Sequence, residues 1–418
     1  MDARPKKLYA PKFVDIARRG LSWPPAIAWF LFLLPQFAIP AGFIYRPPAA
    51  SLFLVVWVLY SLLAMKKFNI AIGKHLILIR YLIWFFFYCL FSVCYGYWVL
   101  SEIGGLTLYL TTGNIDYIPI ALQRLLQILL MIVAFWAIQQ SNASFNRLIR
   151  WWLNGTVFAA ILHIFTYLIS DDSLLQRAGT FNEGNLAGLY YLLSIFLALE
   201  YKKISNNRRG SYYLIFAIFG LLLSRSSAGI LIFGLLFAVR YALAKKYLRF
   251  IIMLILTPLV GAMLINYGLD FGIGEKLFEE QVTPNSFSRI DRIESIRAAY
   301  QLFIKSPIFG NGLQTYGFLS NDIIGGPLKE IYDESYRRIP NNVYLEIAAE
   351  LGLTGLIIFW FSIISLLKSS LSYRNNRDRN LLLGLVAALL YWNAFPTYSV
   401  IFIWVFFAIT VKAGRNHG

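Results

Sequence analysis

Residues 212–243 read YYLIFAIFGLLLSRSSAGILIFGLLFAVRYAL, an apolar run interrupted by Ser224-Arg225-Ser226-Ser227. At 1.5 Å rise per residue, one helix of that length would reach about 48 Å, well beyond a hydrocarbon core of about 30 Å. A single helix would also hold Arg225 at membrane depth. The stretch therefore predicts two spans joined by a tight hairpin, with Arg225 at its tip.

The same ruler, about 20 apolar residues per crossing, divides the rest of the chain. Twelve spans are expected, at roughly 25–45, 50–65, 76–100, 118–138, 151–169, 185–200, 212–224, 227–243, 249–268, 342–367, 381–395 and 397–412. Pro396 separates the last two, because proline disfavours helix in the residue before it. Basic residues collect in every second connection. The side holding both termini carries 26 Lys/Arg against 4 Asp/Glu, and the opposite side 12 against 17. The formal charge of +17 thus divides into +22 and −5. That is the positive-inside asymmetry, so both termini are expected in the cytoplasm.

With 58% hydrophobic and 14% charged residues, the composition excludes an ordinary soluble domain. The fold expected is an all-α polytopic membrane protein, a single integral-membrane domain over 1–418. Scattered loop cations facing anionic lipid account for the basic charge, with no nucleic acid as partner. The stretch Met1 to Pro24 lacks a short apolar core with a small-residue cleavage site, so the first span is read as a retained helix. Cys89 and Cys94 lie five apart in one span and point to different helix faces, implying neither disulfide nor metal.

One connection stands out, the 72 residues from Leu269 to Pro340 between the ninth and tenth spans. Loops of that length are commonly functional. Within it Ile290, Ile293, Ile296, Tyr300, Phe303 and Ile304 recur at three- and four-residue spacing. An amphipathic helix over Ser286 to Lys305, lying on the membrane or capping a cavity, is expected. Asp333, Glu334, Arg337 and Arg338 read as a solvated charge network.

Three outer-side places bring arginine to the membrane boundary. They are Arg177-Ala-Gly-Thr-Phe-Asn182-Glu183-Gly-Asn185, Leu223-Ser-Arg225-Ser, and Ser288-Arg289-Ile-Asp291-Arg292. Arginine near hydrocarbon costs roughly 2.5–3.5 kcal/mol on insertion scales and tends to have a partner or a task. Guanidinium groups suit bidentate recognition of phosphate oxygens. Several converging on one membrane-edge cavity would describe a receptor for a lipid-linked pyrophosphate. Singly, each would snorkel to headgroups or pair with Asp291, Glu294 or Glu183.

From about Arg177 to Gly355 the chain resembles the family of O-antigen polymerases and O-antigen ligases. Four pieces carry the resemblance, in the family's order: Arg177-x-Gly-Thr-Phe-Asn-x-x-Asn185-Leu-Ala before a central helix; the Ser-Arg turn at Arg225; Arg292 through Pro307 to Gly310-Asn-Gly312 in the long loop; and Asn342-Val-Tyr-Leu-Glu346 through Gly352 to Gly355. The earlier helices match only in number and polarity. One position departs. The family's ligases, and many of its polymerases, have His directly before the residue matched to Asn342, whereas this chain has Asn341. An amide cannot take a proton as imidazole does. Of the other histidines, His75 and His417 are expected in the cytoplasm, and His163 reads as a packing residue within the fifth span.

The resemblance implies a bacterial inner-membrane glycosyltransferase with its active site on the periplasmic face. Its substrate would be an undecaprenyl-diphosphate-linked oligosaccharide, its surroundings membrane lipid, and a chain-length regulator protein a further partner to consider. No cofactor and no metal are called for. Arg177, Arg225 and Arg292 would hold the diphosphate, with Arg289 second in line. Glu346 would position the acceptor or take its proton, or else pair with one of these arginines. Glu183, Asn185, Asn341 and Asn342 would contact sugar hydroxyls, and Tyr316 could stack on a sugar ring, while Gly310 and Gly312 shape the loop. The missing His favours a polymerase over a ligase that transfers glycan to lipid A-core. A transporter or lipid flippase would have the same number of spans, but related halves with interrupted helices are not evident.

Overall fold

The computed structural model describes residues 24–35, 49–64, 76–109, 113–170, 172–205, 208–249, 251–252, 284–321, 323–324, 338–371 and 379–413. The helices are α1 (Pro24–Phe32), α2 (Ala49–Ala64), α3 (Leu76–Glu102), α4 (Tyr117–Gln140), α5 (Phe145–Ile169), α6 (Ser173–Ala178), α7 (Gly184–Ser205), α8 (Arg209–Leu223) and α9 (Ser227–Leu243). They continue with α10 (Pro284–Lys305), α11 (Tyr316–Leu319), α12 (Val343–Leu371), α13 (Arg379–Tyr391) and α14 (Ile401–Ala413). A short hairpin, β1 (Thr107–Leu108) paired antiparallel with β2 (Ile115–Asp116), links α3 to α4.

Among the described residues, the helices around α3, α4, α5 and α12 are each long and apolar enough to cross a membrane. Five shorter apolar helices accompany them, α2, α8, α9, α13 and α14. The protein is mostly helical, a composition and architecture suited to a membrane. Trp84, Phe87, Phe91 and Trp98 of α3 are all more than half exposed. Water would tolerate such a face poorly, whereas lipid tails cover it without cost. Of the expected ninth span, residues 253–268 lie outside the described residues, as do both termini and the loop residues 269–283 and 325–337.

Two helices form the centre. In α7 every residue from 187 to 201 is buried, and in α14 every residue is. A helix apolar all round finds its minimum where neighbours cover every face. Accordingly α8 and α13 pack on α7, α4 packs on α14, and α3 packs on both α4 and α12. A stacked pair joins the centre to α5, Trp152 against Tyr190 at 5.2 Å, and the Trp152 indole donates to Ser194 Oγ at 2.8 Å.

The chain runs up and down, so its connections sort to two ends. At one end Arg379 donates to the Leu243 carbonyl at 2.9 Å, Asn380 to Glu200 at 3.0 Å, and Lys412 to the Ile138 carbonyl at 3.0 Å. At the other end lie the β hairpin, α6, the Ser224–Ser226 turn, α10, α11 and the start of α12. There the Tyr117 hydroxyl donates to the Leu313 carbonyl at 2.9 Å, and the Val343 amide to the Trp392 carbonyl at 2.8 Å.

The helix expected over Ser286 to Lys305 is present as α10; it packs on α12 with Ala298, Ala299 and Leu302 buried, while Ile293, Ile296, Tyr300 and Ile304 of the expected apolar face are exposed. Behind it, α12 is interrupted at Gly352 (φ 65°, ψ −167°). The break frees carbonyls that the loop after α10 satisfies. Asn311 and Gly312 donate their amides to the Ala349 and Glu350 carbonyls at 3.1 and 2.8 Å. In return the Leu353 and Thr354 amides donate to the Pro307 and Ile308 carbonyls at 2.8 and 3.2 Å. Non-helical backbone near a membrane is tolerated only when its polar groups find such partners. A Cβ on Gly352 would lie 2.4 Å from the Ile308 carbonyl oxygen, and one on Gly312 2.2 Å from Gly96 Cα. Glycine is required at both places for backbone to meet backbone.

Candidate functional site

The hairpin tip read from residues 212–243 sits on the first turns of α7. Close approach is allowed by two glycines: a Cβ on Gly184 would come 2.9 Å from the Ser224 carbonyl oxygen, and one on Gly188 2.4 Å from Ser226 Cβ. Ser226 caps α9, accepting from the Gly229 amide at 3.2 Å. Its hydroxyl lies 2.7 Å from that of Tyr391, which donates to the Asn185 carbonyl at 2.6 Å. The turn, the start of α7 and the end of α13 are thereby tied together. Between the two hairpin helices Arg225 takes a left-handed backbone, φ 47°. For a residue with a Cβ that conformation costs about 1–2 kcal/mol, and such strain clusters at functional sites. Its guanidinium donates to the Tyr167 hydroxyl at 3.2 Å and stands 5.5 Å from the centre of that ring.

Arg177 ends α6, a helix not foreseen in the sequence. His163 supports this helix from below, its Nε2 lying 2.9 Å from the Gln176 carbonyl oxygen, and a Cβ on Gly179 would strike its ring at 2.5 Å. Arg177 Nε is buried with no hydrogen-bond partner. Burial lowers the Arg177 pKa, Glu183 works against that, and Arg225 and Arg292 push further the same way. Arg225 and Arg292, far from Arg177 in sequence, both lie within electrostatic reach of it. Glu183 is their carboxylate. Burial raises its pKa, while a hydrogen bond from Asn185 Nδ2 at 2.8 Å and the charges of Arg177 and Arg292 pull it back down. Like charges gathered at a partly desolvated spot repel, and an anion with several acceptor oxygens would relieve them.

α10 brings the next group. Arg292 faces the cluster just described, and Asp291 faces the start of α12. Asn341 donates through Nδ2 to Asp291 Oδ2 at 3.1 Å and to Ser295 Oγ at 3.4 Å. Burial raises the Asp291 pKa, opposed by Asn341 and by the charges of Arg292 and Arg338. Arg338 is only 3% exposed. It belongs to the interior beside Asp291, a correction to the solvated network expected for it; Asp333, Glu334 and Arg337 lie outside the described residues, as does the side chain of Arg289.

Other expected contacts have structural occupations. Asn342 caps α12: its Oδ1 accepts from the Tyr344 and Leu345 amides at 2.9 and 3.0 Å. Tyr316 is 1% exposed, and its hydroxyl donates to the Ser295 carbonyl at 2.9 Å. Burial raises its pKa. Glu346 does not pair with Arg177, Arg225 or Arg292. Its Oε1 accepts from Arg124 Nη2 at 3.1 Å, with the carboxylate side chain 2% exposed. Arg124 also donates to Ser399 Oγ at 2.6 Å and stands 5.3 Å from the centre of the Tyr398 ring. Sequence reasoning missed Arg124, although a charged residue inside an apolar span is itself a signal. Tyr391, which joins Asn185 to Ser226, carried no such signal.

Cys89 is buried and Cys94 exposed, both with free thiols. Among the described residues no three His, Cys, Asp or Glu side chains gather as a metal-holding group.

No curated protein matches the chain. A family model described as O-antigen ligase does match, over less than half of it, and Arg124, Arg177 and Glu183 precede the matched stretch. The matched stretch, residues 212–360, holds the hairpin of Arg225, Arg292, Asp291, Asn341 and the capped, broken start of α12, and over it the chain is similar to that family.

Proposed function

We propose that this protein is a polysaccharide polymerase, a membrane glycosyltransferase that moves a growing glycan from undecaprenyl diphosphate onto a hydroxyl of another lipid-linked repeat unit. The family match supports a function of ligase or polymerase type. The finer reading rests on one observation, the gathering of Arg225, Arg292 and Glu183 within electrostatic reach of the buried Arg177. A diphosphate leaving group departs as an anion, and fixed guanidinium charge stabilises it most where water is scarce. The acceptor needs alignment with the anomeric carbon, a positioning contribution. Asn341 in place of the ligases' His favours the polymerase. In this proposal the protein lies in the bacterial inner membrane with both termini cytoplasmic, the site is periplasmic, and a chain-length regulator protein acts beside it.

Purified protein in lipid, given a lipid-linked repeat unit with and without lipid A-core, tests this. Longer lipid-linked chains are expected. Transfer to lipid A-core would make it a ligase, and passage of unaltered donor across the bilayer would make it a flippase.

A further inference from the structure

The Asn341 amide spends its N–H groups on α10. One goes to Asp291 Oδ2 at 3.1 Å and the other to Ser295 Oγ at 3.4 Å, while the Ser295 hydroxyl donates to the Arg292 carbonyl at 3.0 Å. An amide held in this way cannot accept a proton. What it can do is fix the carboxylate beside it. Asp291 remains partly exposed. Successive residues of a helix point about 100° apart, so Arg292 turns toward Arg177, Glu183 and Tyr391 while Asp291 turns toward Asn341 and Arg338. The space between two adjacent residues of α10 thus has a diphosphate-binding cation on one side and a carboxylate on the other.

We infer that Asp291 is the general base for the acceptor hydroxyl and that Asn341 is its positioning residue. This rests on the glycosyl-transfer reading above. The acceptor oxygen forms a bond to the anomeric carbon as the bond from that carbon to the diphosphate oxygen breaks. The electron pair of the broken bond leaves with undecaprenyl diphosphate, held by the arginines. The hydroxyl proton passes to the Asp291 carboxylate and from there to water.

The competing carboxylates are occupied differently. Glu346 is closed against Arg124 of α4. Glu183 lies inside the arginine cluster, held by Asn185, where it balances charge before the donor arrives. Glu294 lies 3.8 Å from Arg297 at the exposed side of α10. Among the described residues, the charged and titratable groups around Asp291 include Arg292 on its own helix, Arg338 before α12 and Tyr316 of α11, on which Glu350 and Glu294 also act. Both cations favour the carboxylate, so its proton affinity is set between their pull and the opposing push of burial.

The test uses the full-length protein in lipid vesicles with a lipid-linked repeat unit as substrate and undecaprenyl diphosphate as binding probe. Asp291→Asn should lower turnover about 10²–10⁴-fold, the usual range for losing general-base help, with donor binding held. Its rate should also lose the fall at low pH that the native protein shows. Asp291→Glu should recover part of the turnover and keep that fall. Asn341→Ala removes a hydrogen bond that favours the carboxylate, so its fall should begin at higher pH. An Asp291→Asn protein with native turnover overturns the inference while leaving the glycosyltransferase intact. Loss of donor binding in step with turnover also overturns it, leaving Asp291 a support for the loop. A native protein that transfers no glycan removes the function and the base together.

Discussion

Arg124 and Glu346 are 222 residues apart in the chain, and Nη2 of the first meets Oε1 of the second at 3.1 Å, joining α4 to α12 behind the arginine cluster. Ser399 Oγ accepts from the same guanidinium at 2.6 Å, so α14's approach is fastened there too. A buried pair is strongly asymmetric: removing one partner strands the other charge, at about 3–5 kcal/mol, whereas replacing both with apolar residues is often neutral. Arg124→Ala and Glu346→Leu should each lower the thermal midpoint in detergent, and Arg124→Met with Glu346→Leu should recover most of it. Glu346→Gln, once folded, should keep turnover within a small factor of native. A folded Glu346→Gln protein that binds donor normally yet fails to turn over would return Glu346 to the role of base.

The three arginines make a separate prediction. Charge-assisted hydrogen bonds contribute about 1.5–3 kcal/mol each, and lysine lacks the planar fork that engages two phosphate oxygens. Arg177→Lys, Arg225→Lys and Arg292→Lys should each weaken undecaprenyl diphosphate binding by about 10- to 100-fold. Three lysine proteins with native binding and expression would leave only a bulk electrostatic role.

Asn342 separates capping from sugar contact. Loss of an N-cap costs about 0.5–2 kcal/mol, and Ser or Asp replaces Asn there with little penalty. Asn342→Ala should therefore reduce stability, while Asn342→Ser and Asn342→Asp should hold both stability and KM for the lipid-linked donor. A raised KM in a stable Asn342→Ser protein would show that the side chain touches substrate.

Topology is open to direct labelling. In a background with Cys89 and Cys94 replaced, Ile308→Cys lies at an exposed position of the site end. It should react with a membrane-impermeant maleimide added to intact spheroplasts, and a cysteine near either terminus should react only after permeabilisation. Reaction of Ile308→Cys from the cytoplasmic side alone would invert the membrane orientation and move the proposed site away from its substrate.

Much of the scaffold was legible because its causes are local. Span length, the break at Ser224–Ser226 and the alternation of loop charge depend on neighbours within a few residues, and lipid imposes one length and one polarity on each crossing. Gly310 and Gly312 were read as loop-shaping, and both take positive φ, 75° and 112°. Less local features escaped. The β hairpin before α4 and the short α6 are brief elements between spans, where periodicity has too few residues to register.

The partners of the charged groups belonged to the tertiary structure alone. Sequence placed Arg177, Arg225, Arg292, Asn341 and Glu346 at one end of the bundle, because each sits beside the same kind of span boundary. It could not say that Glu346 faces Arg124 across α4, or that Asn341 faces Asp291 across α10. Those pairings depend on the rotation of each helix about its axis, and rotation is decided by packing of α4 against α3 and α14, of α12 against α3 and α10, and by the loop that enters the break at Gly352. A turn of 100°, one residue's worth on a helix, separates Arg292 among the arginines from Asp291 against Asn341.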